Sequence, residues 1–397
     1  MKYSISSVLL LAVPVFAIPA TPVERQADCK PLPAGFSLPA STKLPDPFTF
    51  ADGSKVTTKE QWKCRRQEIL QLFFRQESGD KPDKPESVTG SVSSSSISVT
   101  ASQGGKSVSF SASVRMPNGV SGPVPAIIGY GGGSIPMPAG VAVINFNNDQ
   151  IAAQQGSGSR GSGKFYDLYG RNHNAGATTA WAWGVSRILD VIEADTSKKI
   201  DINRIGVTGC SRNGKGAIFA GAFDERIALT IPQESGSGGA ACWRISDIEE
   251  SRGKNIQTCH QIVGENPWYS KLLDPNCANG SSKLAIDHHM LAGLIAPRGL
   301  LVIENNIDWL GPVSTTGCMR TGGLIFQALG ASSSFGLSST SPHGHCGMPS
   351  SQQPELTAFI NRFLKGDASA NTAGVDKSDQ SNVRPSDYIT WTTPTLT

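Results

Sequence analysis

The stretch Ile205-Gly-Val-Thr-Gly-Cys-Ser-Arg-Asn-Gly-Lys-Gly216 predicts a strand, a sharp turn and a helix in immediate succession. β-Branched residues up to Thr208 favour a strand, and the small apolar residues after the stretch favour a helix. Gly209 and Gly214 flank Ser211, where a cramped turn tolerates few side chains. Because such a turn holds a serine hydroxyl exposed above a sheet, Ser211 is the candidate nucleophile.

This motif departs from the usual G-x-S-x-G elbow, because its second glycine comes one residue late, after Arg212 and Asn213. Two other interpretations therefore stay open. In one, Ser211 caps the helix; in the other, Lys215 and the helix N-terminus form an anion site. The turn carries neither a Walker pattern nor G-x-G-x-x-G, so it gives little support to a nucleotide site.

Charge and length limit the possible partners and the number of domains. The 397 residues include 35 Lys and Arg against 32 Asp and Glu, a net charge of +3, without a Lys/Arg-rich block. We therefore expect no nucleic-acid partner. Length alone permits one or two domains.

The N-terminus predicts secretion. Residues 8–17 are apolar, too short to span a bilayer and end in small residues, so we expect a signal peptide over residues 1–17. Residues 18–28 are expected to be a short pro-segment or disordered N-terminus, 29–370 a single catalytic domain, and 371–397 a C-terminal tail. No later run predicts a membrane helix. We expect a soluble, extracellular monomer with no membrane partner.

Eight cysteines are present: Cys29, Cys64, Cys210, Cys242, Cys259, Cys277, Cys318 and Cys346. An even count in a secreted chain favours complete pairing, but the spacing leaves about 105 pairings open. We expect no metal site, because the sequence has no C-x-x-C and the adjacent side chains of His288 and His289 diverge on a helix or a strand.

The order of the predicted elements gives the fold class. Period-two alternation over 87–114 indicates antiparallel strands. The apolar runs 126–129 and 141–146 are typical of strands buried on both faces of a parallel sheet, and a helix over 178–194 precedes the Ser211 strand. The sequence thus predicts an α/β fold of the α/β-hydrolase type, a doubly wound, mostly parallel sheet in a three-layer sandwich with antiparallel N-terminal strands.

A second glycine-rich segment, Tyr130-Gly-Gly-Gly-Ser134, follows the first buried strand. In lipases and esterases a loop of this kind offers a backbone N–H to an oxyanion. A simple turn explains the glycines equally well, so both interpretations stay open.

In the usual chain order of this fold, an acid and then a histidine follow the nucleophile. His343 and His345 are the only histidines after residue 300, and either imidazole can take up and return a proton. Glu234 and Asp308 each follow a predicted strand, and the commoner layout favours Asp308.

The cysteines distinguish the two histidines. Cys210 precedes Ser211 and Cys346 follows His345, so a disulfide between these cysteines would hold the nucleophile and the base together. His343 lies farther from Cys346 in the sequence, and we therefore favour His345 as the base.

Three motifs resemble the fungal glucuronoyl esterases of carbohydrate esterase family 15: Gly209-Cys-Ser-Arg-Asn-Gly-Lys215, Pro232-Gln-Glu-Ser-Gly236 and His343-Gly-His-Cys346. The resemblance covers residues 28–370. It implies Ser211 as the nucleophile, His345 as the base and Glu234 as the acid. It also implies that Arg212 contributes to the oxyanion site.

The resemblance further implies a saccharide site and a substrate. The residues that would hold the glucuronate are Lys215, Gln257, Glu265 and Trp309. Without the resemblance, Lys215 would be a solvated helix charge, Trp309 a core residue, and the other two loop surface. The implied substrate is the ester between 4-O-methyl-glucuronoyl groups of glucuronoxylan and lignin alcohols, cleaved without a cofactor or metal. A different secreted serine esterase or lipase, or a noncatalytic saccharide-binding protein on this scaffold, remains the alternative.

Covalent modifications are implied as well. The resemblance agrees with a Cys210–Cys346 bond and suggests Cys29–Cys64 and Cys242–Cys318, which leaves Cys259 with Cys277. Asn279-Gly-Ser281 is a sequon, so Asn279 is a candidate for an N-glycan.

Overall fold

The computed structural model of the chain describes residues 29–120, 122–340 and 343–397. The expected signal peptide over 1–17 and the segment 18–28 lie outside these residues. Within the described residues the chain builds one ten-stranded sheet. The strands are β1 (Ser87–Val92), β2 (Ser96–Gln103), β3 (Lys106–Arg115), β4 (Val124–Tyr130), β5 (Ala142–Phe146), β6 (Ile200–Cys210), β7 (Ile227–Gln233), β8 (Gly299–Glu304), β9 (Phe335–Ser339) and β10 (Asp376–Ser378).

The sheet changes from antiparallel to parallel along its width. Its order is β1-β2-β3-β5-β4-β6-β7-β8-β9-β10, and the pairs up to β3–β5 are antiparallel while the others are parallel. Exposed and buried residues alternate along β3, whereas all of β8 is buried. This difference follows from position, because one face of the antiparallel part meets solvent and both faces of the parallel part are covered.

Helices cover both faces of the sheet. They are α1 (Lys59–Phe73), α2 (Lys164–Tyr169), α3 (Ala177–Ala194), α4 (Arg212–Phe223), α5 (Trp243–Ser251), α6 (Cys259–Glu265), α7 (Asp274–Cys277), α8 (His288–Ile295), α9 (Pro312–Ala328) and α10 (Gln353–Phe363). The larger core includes Trp181 of α3 and Phe219 of α4, and the smaller core joins Phe359 of α10 to Ile303 of β8. The predicted three-layer α/β-hydrolase fold is confirmed. Among the described residues, every helix is too short or too polar to cross a membrane.

Both ends of the described chain are fixed to this core. The irregular arm that begins at Cys29 is bonded to Cys64 of α1, and Thr58 and Gln61 form a capping box at the start of that helix. At the other end, β10 is the edge strand beside β9, and Tyr388 and Leu396 are buried in the larger core. The residues after 370, expected to be a tail, therefore complete the sheet and the core.

Candidate active site

Ser211 lies in the sharp turn between β6 and α4. Its φ of 60° and ψ of −128° fall in a region that residues other than glycine rarely adopt. A Cβ on Gly209 would lie 2.5 Å from the carbonyl oxygen of Asn213, and one on Gly214 would lie 2.5 Å from that of Gln233. Position 214 has to be glycine because α4 packs closely against the end of β7 there, which accounts for the second glycine of the motif being one residue later than usual.

A cavity of about 450 Å³ opens above this turn. It is lined by every residue that the family resemblance assigned to chemistry or to the sugar: Ser211, Arg212, Lys215, Glu234, Gln257, Glu265, Trp309 and His345. Asp308, the alternative acid, instead lines a separate cavity with Lys254. The structure thus brings the implied residues together and separates Asp308 from them.

The Glu234 carboxylate is fully buried and accepts hydrogen bonds from both candidate histidines. His345 donates from Nδ1 to Oε2 at 2.6 Å, His343 donates from Nε2 to Oε1 at 3.0 Å, and the Cys346 N–H donates to Oε2 at 2.9 Å. Asn305 Nδ2 makes a longer contact at 3.4 Å. Since His345 also lines the cavity and its Nδ1 is occupied by Glu234, its Nε2 is the nitrogen available to a substrate or a nucleophile.

The candidate nucleophile and the candidate base line the same cavity and are not hydrogen-bonded to each other. Cys210 and Cys346 form a disulfide with their Cα atoms 5.7 Å apart, and the residues beside them in the chain, Ser211 and His345, both line the cavity. Within the described residues, Ser211 Oγ makes no side-chain hydrogen bond, as is common for serine nucleophiles in unliganded sites.

All the cysteines are paired, and in the way that the resemblance implies. The other three bonds are Cys29–Cys64, Cys242–Cys318 and Cys259–Cys277. Cys210, His345 and Cys346 are the one group of three metal-ligand side chains found in the described residues. Both sulfurs of that group are bonded to each other, so no thiolate remains to bind a metal.

The glycine-rich loop after β4 forms a turn and does not reach the cavity. Its three glycine N–H groups donate to backbone carbonyls: Gly131 to Phe146, Gly132 to Gly129, and Gly133 to Tyr130, at 2.9–3.2 Å. None of residues 130–134 lines the cavity. Of the two interpretations of this loop, the simple turn is therefore the one that fits.

Lys215 is buried in α4 below the cavity, and it is not a solvated helix charge. Its Nζ donates to the carbonyls of Ser235 and Ser237 at 2.6 and 2.7 Å and lies 5.7 Å from the ring centroid of Trp268. Burial lowers the pKa of Lys215 to about 8, while the charges of Glu304 and Glu265 oppose that shift. An ammonium has three protons, so one stays available to the cavity.

The remaining implied residues surround the opening of the cavity. Gln257 donates from Nε2 to Oε2 of Glu265 at 3.0 Å, and the ring of Trp309 meets His345 edge to face at 4.9 Å. Arg212 is exposed and is the first residue of α4, where backbone N–H groups lack intrahelical acceptors. Polar groups that suit sugar hydroxyls therefore line the same cavity as Ser211.

Several residues of the site were not found by sequence reasoning. The contact of His343 with Glu234 could have been anticipated, because residues two apart in an extended segment share a face and His343-Gly-His345 has that spacing. Gln154, Asn266 and Trp268 line the cavity without any motif that marks them. Glu304, buried beside Glu234, was likewise missed.

Comparison with known proteins identifies the family. A family model described as glucuronyl esterase, fungi, matches residues 99–330. The 4-O-methyl-glucuronoyl methylesterase of Thermothelomyces thermophilus is 54% identical over 393 residues, 98% of this chain and 97% of the relative, and that of Hypocrea jecorina is 54% identical over 93% of this chain and 80% of the relative. The chain belongs to the fungal glucuronoyl esterases. The resemblance seen in the sequence is thereby confirmed, and this esterase is a carboxylic ester hydrolase.

Solved structures agree with this assignment. The catalytic domain of the Hypocrea jecorina glucuronoyl esterase superposes with a TM-score of 0.89 at 54% identity, over 92% of this esterase and 100% of that chain. A mutant glucuronoyl esterase of Sporotrichum thermophile, in complex with methyl 4-O-methyl-β-D-glucopyranuronate, also has a TM-score of 0.89 at 54% identity, over 93% and 100%.

The buried ammonium of Lys215 predicts a pH-dependent affinity for glucuronate esters. Because the pKa of Lys215 is lowered to about 8, the side chain is a charged hydrogen-bond donor below that pH. The charge is lost as the pH rises through 8. We expect KM to rise between pH 6 and 9, and Lys215→Gln to raise KM by about 10-fold at pH 6, the usual value of one charge-assisted hydrogen bond. In that variant KM should no longer rise with pH. A KM that is flat with pH in the parent, or unchanged by the substitution, would contradict this role.

Proposed function

We propose that this chain is a secreted serine esterase that hydrolyses the ester between 4-O-methyl-D-glucuronic acid of glucuronoxylan and lignin alcohols, with a triad of Ser211, His345 and Glu234. The observation that carries the proposal is the 2.6 Å hydrogen bond from His345 to a buried Glu234 carboxylate, in a cavity that Ser211 also lines. That arrangement supplies a nucleophile, a base and an orienting acid together.

The first half-reaction forms an acyl-enzyme. Ser211 Oγ attacks the C6 carbonyl of the glucuronate ester while His345 Nε2 accepts the hydroxyl proton. Glu234 accepts a hydrogen bond from Nδ1–H, which fixes the tautomer and stabilises the imidazolium. The tetrahedral intermediate then collapses, and His345 returns the proton to the departing alcohol.

The second half-reaction releases the acid. Water attacks the Ser211 ester, His345 accepts its proton, and collapse of the second intermediate returns that proton to Ser211 Oγ and frees glucuronic acid. In both steps the N-terminus of α4 and the Arg212 guanidinium, which belong to residues at the cavity, are proposed to stabilise the developing oxyanion. A donor of this kind contributes about 10²- to 10³-fold to the rate.

The sugar is proposed to bind in the same cavity, beside the triad. Lys215 and the Gln257–Glu265 pair offer donors and acceptors for ring hydroxyls, and Trp309 provides an apolar face. These polar groups favour a saccharide over the acyl chain of a lipase substrate. The two relatives named above as 4-O-methyl-glucuronoyl methylesterases support the same substrate class.

Secretion is part of the proposal. Four disulfides are typical of proteins that fold in an oxidising compartment, and residues 1–17 have the pattern of a signal peptide. Asn279 of the sequon is exposed, so it is accessible to a glycan.

The substrate assignment predicts selective hydrolysis. Purified protein should release glucuronic acid from benzyl glucuronate at a kcat/KM at least about 10²-fold above that for acetyl groups on xylan, because acetyl esters cannot use the sugar-binding end of the cavity. Chromatography of the products measures both reactions. Equal or faster deacetylation, or no turnover of benzyl glucuronate by folded protein, would refute the assignment.

The acid assignment is tested by two matched variants. Glu234→Ala should lower kcat on benzyl glucuronate by about 10³- to 10⁴-fold, since the His345 imidazolium loses its carboxylate. Asp308→Ala should stay within about 3-fold of the parent, because a surface carboxylate outside the site makes no such contribution. Comparable losses in both variants, or a larger loss in Asp308→Ala, would show that Glu234 is not the acid.

A further inference from the structure

The turn that carries Glu234 is under backbone strain. Glu234 has a φ of 45°, in the left-handed region, and Gly236 two residues later has a φ of 55°. For a residue other than glycine this conformation is strained and persists only where the surroundings enforce it. Because the Glu234 backbone aims its carboxylate at His345, the groups that enforce the turn also determine that hydrogen bond.

Glu304, the last residue of β8, holds one side of this turn. A single carboxyl oxygen, Oε1, accepts the N–H groups of Ser235 and Gly236 at 2.9 and 3.2 Å, with the Ser235 hydroxyl at 3.3 Å. The side chain is 1% exposed. The N–H of Glu234 itself donates to the carbonyl of Ile303, directly before Glu304, at 2.7 Å. Three successive N–H groups of the turn are therefore fixed by the end of one strand.

Lys215 holds the opposite side. Its ammonium donates hydrogen bonds to the carbonyls of Ser235 and Ser237. Ser235 is therefore hydrogen-bonded on both sides, through its N–H to Glu304 and through its carbonyl to Lys215. The turn therefore cannot relax from the left-handed conformation without breaking buried hydrogen bonds, each of which is costly to leave unmade.

We propose that Glu304 is a positioning residue for the esterase reaction: by binding the N–H groups of Ser235 and Gly236, it holds Glu234 in the conformation that orients His345. This inference rests on the proposed role of Glu234 as the triad acid. Glu304 does not touch the histidine or the cavity and acts only through the turn.

The environment of Glu304 suits a neutral carboxyl group. The pKa of Glu304 is raised to about 8, mainly by burial and also by the nearby charge of Glu234, while the two backbone hydrogen bonds and the charge of Lys215 lower it. Below that pH the group is protonated, and it places no second negative charge beside Glu234. A neutral amide of the same shape offers the same acceptor oxygen, so glutamine should replace Glu304 in this role.

Three variants test the proposal with benzyl glucuronate at pH 6. Glu304→Leu should lower kcat by about 10- to 100-fold, the effect of misplacing a reacting group by about 1 Å, with KM within about 2-fold. Glu304→Gln should stay within about 3-fold of the parent, because it keeps the acceptor. Glu68→Leu is the control, since Glu68 is a buried carboxylate in α1 that pairs with Arg65, far along the chain from the turn. It should lower Tm while leaving kcat unchanged.

The outcomes separate this proposal from a general loss of stability. A kcat of Glu304→Leu equal to that of the Glu68→Leu control would overturn the proposal, as would a Glu304→Gln variant as impaired as Glu304→Leu. If Glu304→Leu does not fold, Glu304→Asp serves instead, because its side chain is one methylene group shorter and its carboxyl oxygen no longer reaches the N–H groups of Ser235 and Gly236. A parental kcat in that variant would equally overturn the proposal.

A double-mutant comparison tests whether Glu304 acts through Glu234. In a Glu234→Gln background, Glu304→Leu should lower kcat by less than about 2-fold, because the group that it positions is already lost. The full single-mutant loss in that background would overturn the proposal. The proposed triad fails separately, if Glu234→Gln alone retains the parental kcat.

Discussion

The completely buried carboxylate of Glu234 is the constraint on which the site depends. A buried carboxylate is costly unless several donors satisfy it, and here the donors are His345, His343, the Cys346 N–H and Asn305. Three of the four come from one loop between β9 and α10. The need to satisfy one carboxylate therefore brings the histidine loop onto the end of β7, and the Cys210–Cys346 disulfide joins that loop to the nucleophile turn.

The proposed acid, Glu234, directly follows β7, so the end of β8 can have other roles. Glu304 points inward and binds the turn after Glu234, while Trp309, five residues later, faces the cavity beside His345. The ammonium of Lys215 binds the same turn, and Lys215 also lines the cavity. The proposed orientation of the acid and the proposed recognition of the sugar thus share the buried segment from Ser235 to Ser237.

The sequence predicted the layers and the nucleophile turn because these depend on local patterns: period-two strands in β1–β3, apolar runs in β4 and β5, and small residues around Ser211. It did not predict what depends on long-range contacts. Nothing near Glu304 in the sequence indicates that its carboxyl receives N–H groups from a neighbouring strand end. The glycines after β4 match the oxyanion-loop motif of lipases and esterases, yet their N–H groups donate hydrogen bonds to backbone carbonyls and are not available to a substrate. The last residues looked like a tail, because β10 has only three residues.

Ester hydrolysis in this cavity is proposed to proceed through Ser211. The most direct test is kcat/KM of Ser211→Ala on benzyl glucuronate, measured beside the parent, with circular dichroism to verify that both are folded. Removal of the nucleophile of a triad predicts a loss of about 10³-fold or more. A folded Ser211→Ala variant that keeps kcat/KM within about 10-fold of the parent would contradict the account, since that loss is smaller than even a single oxyanion donor contributes.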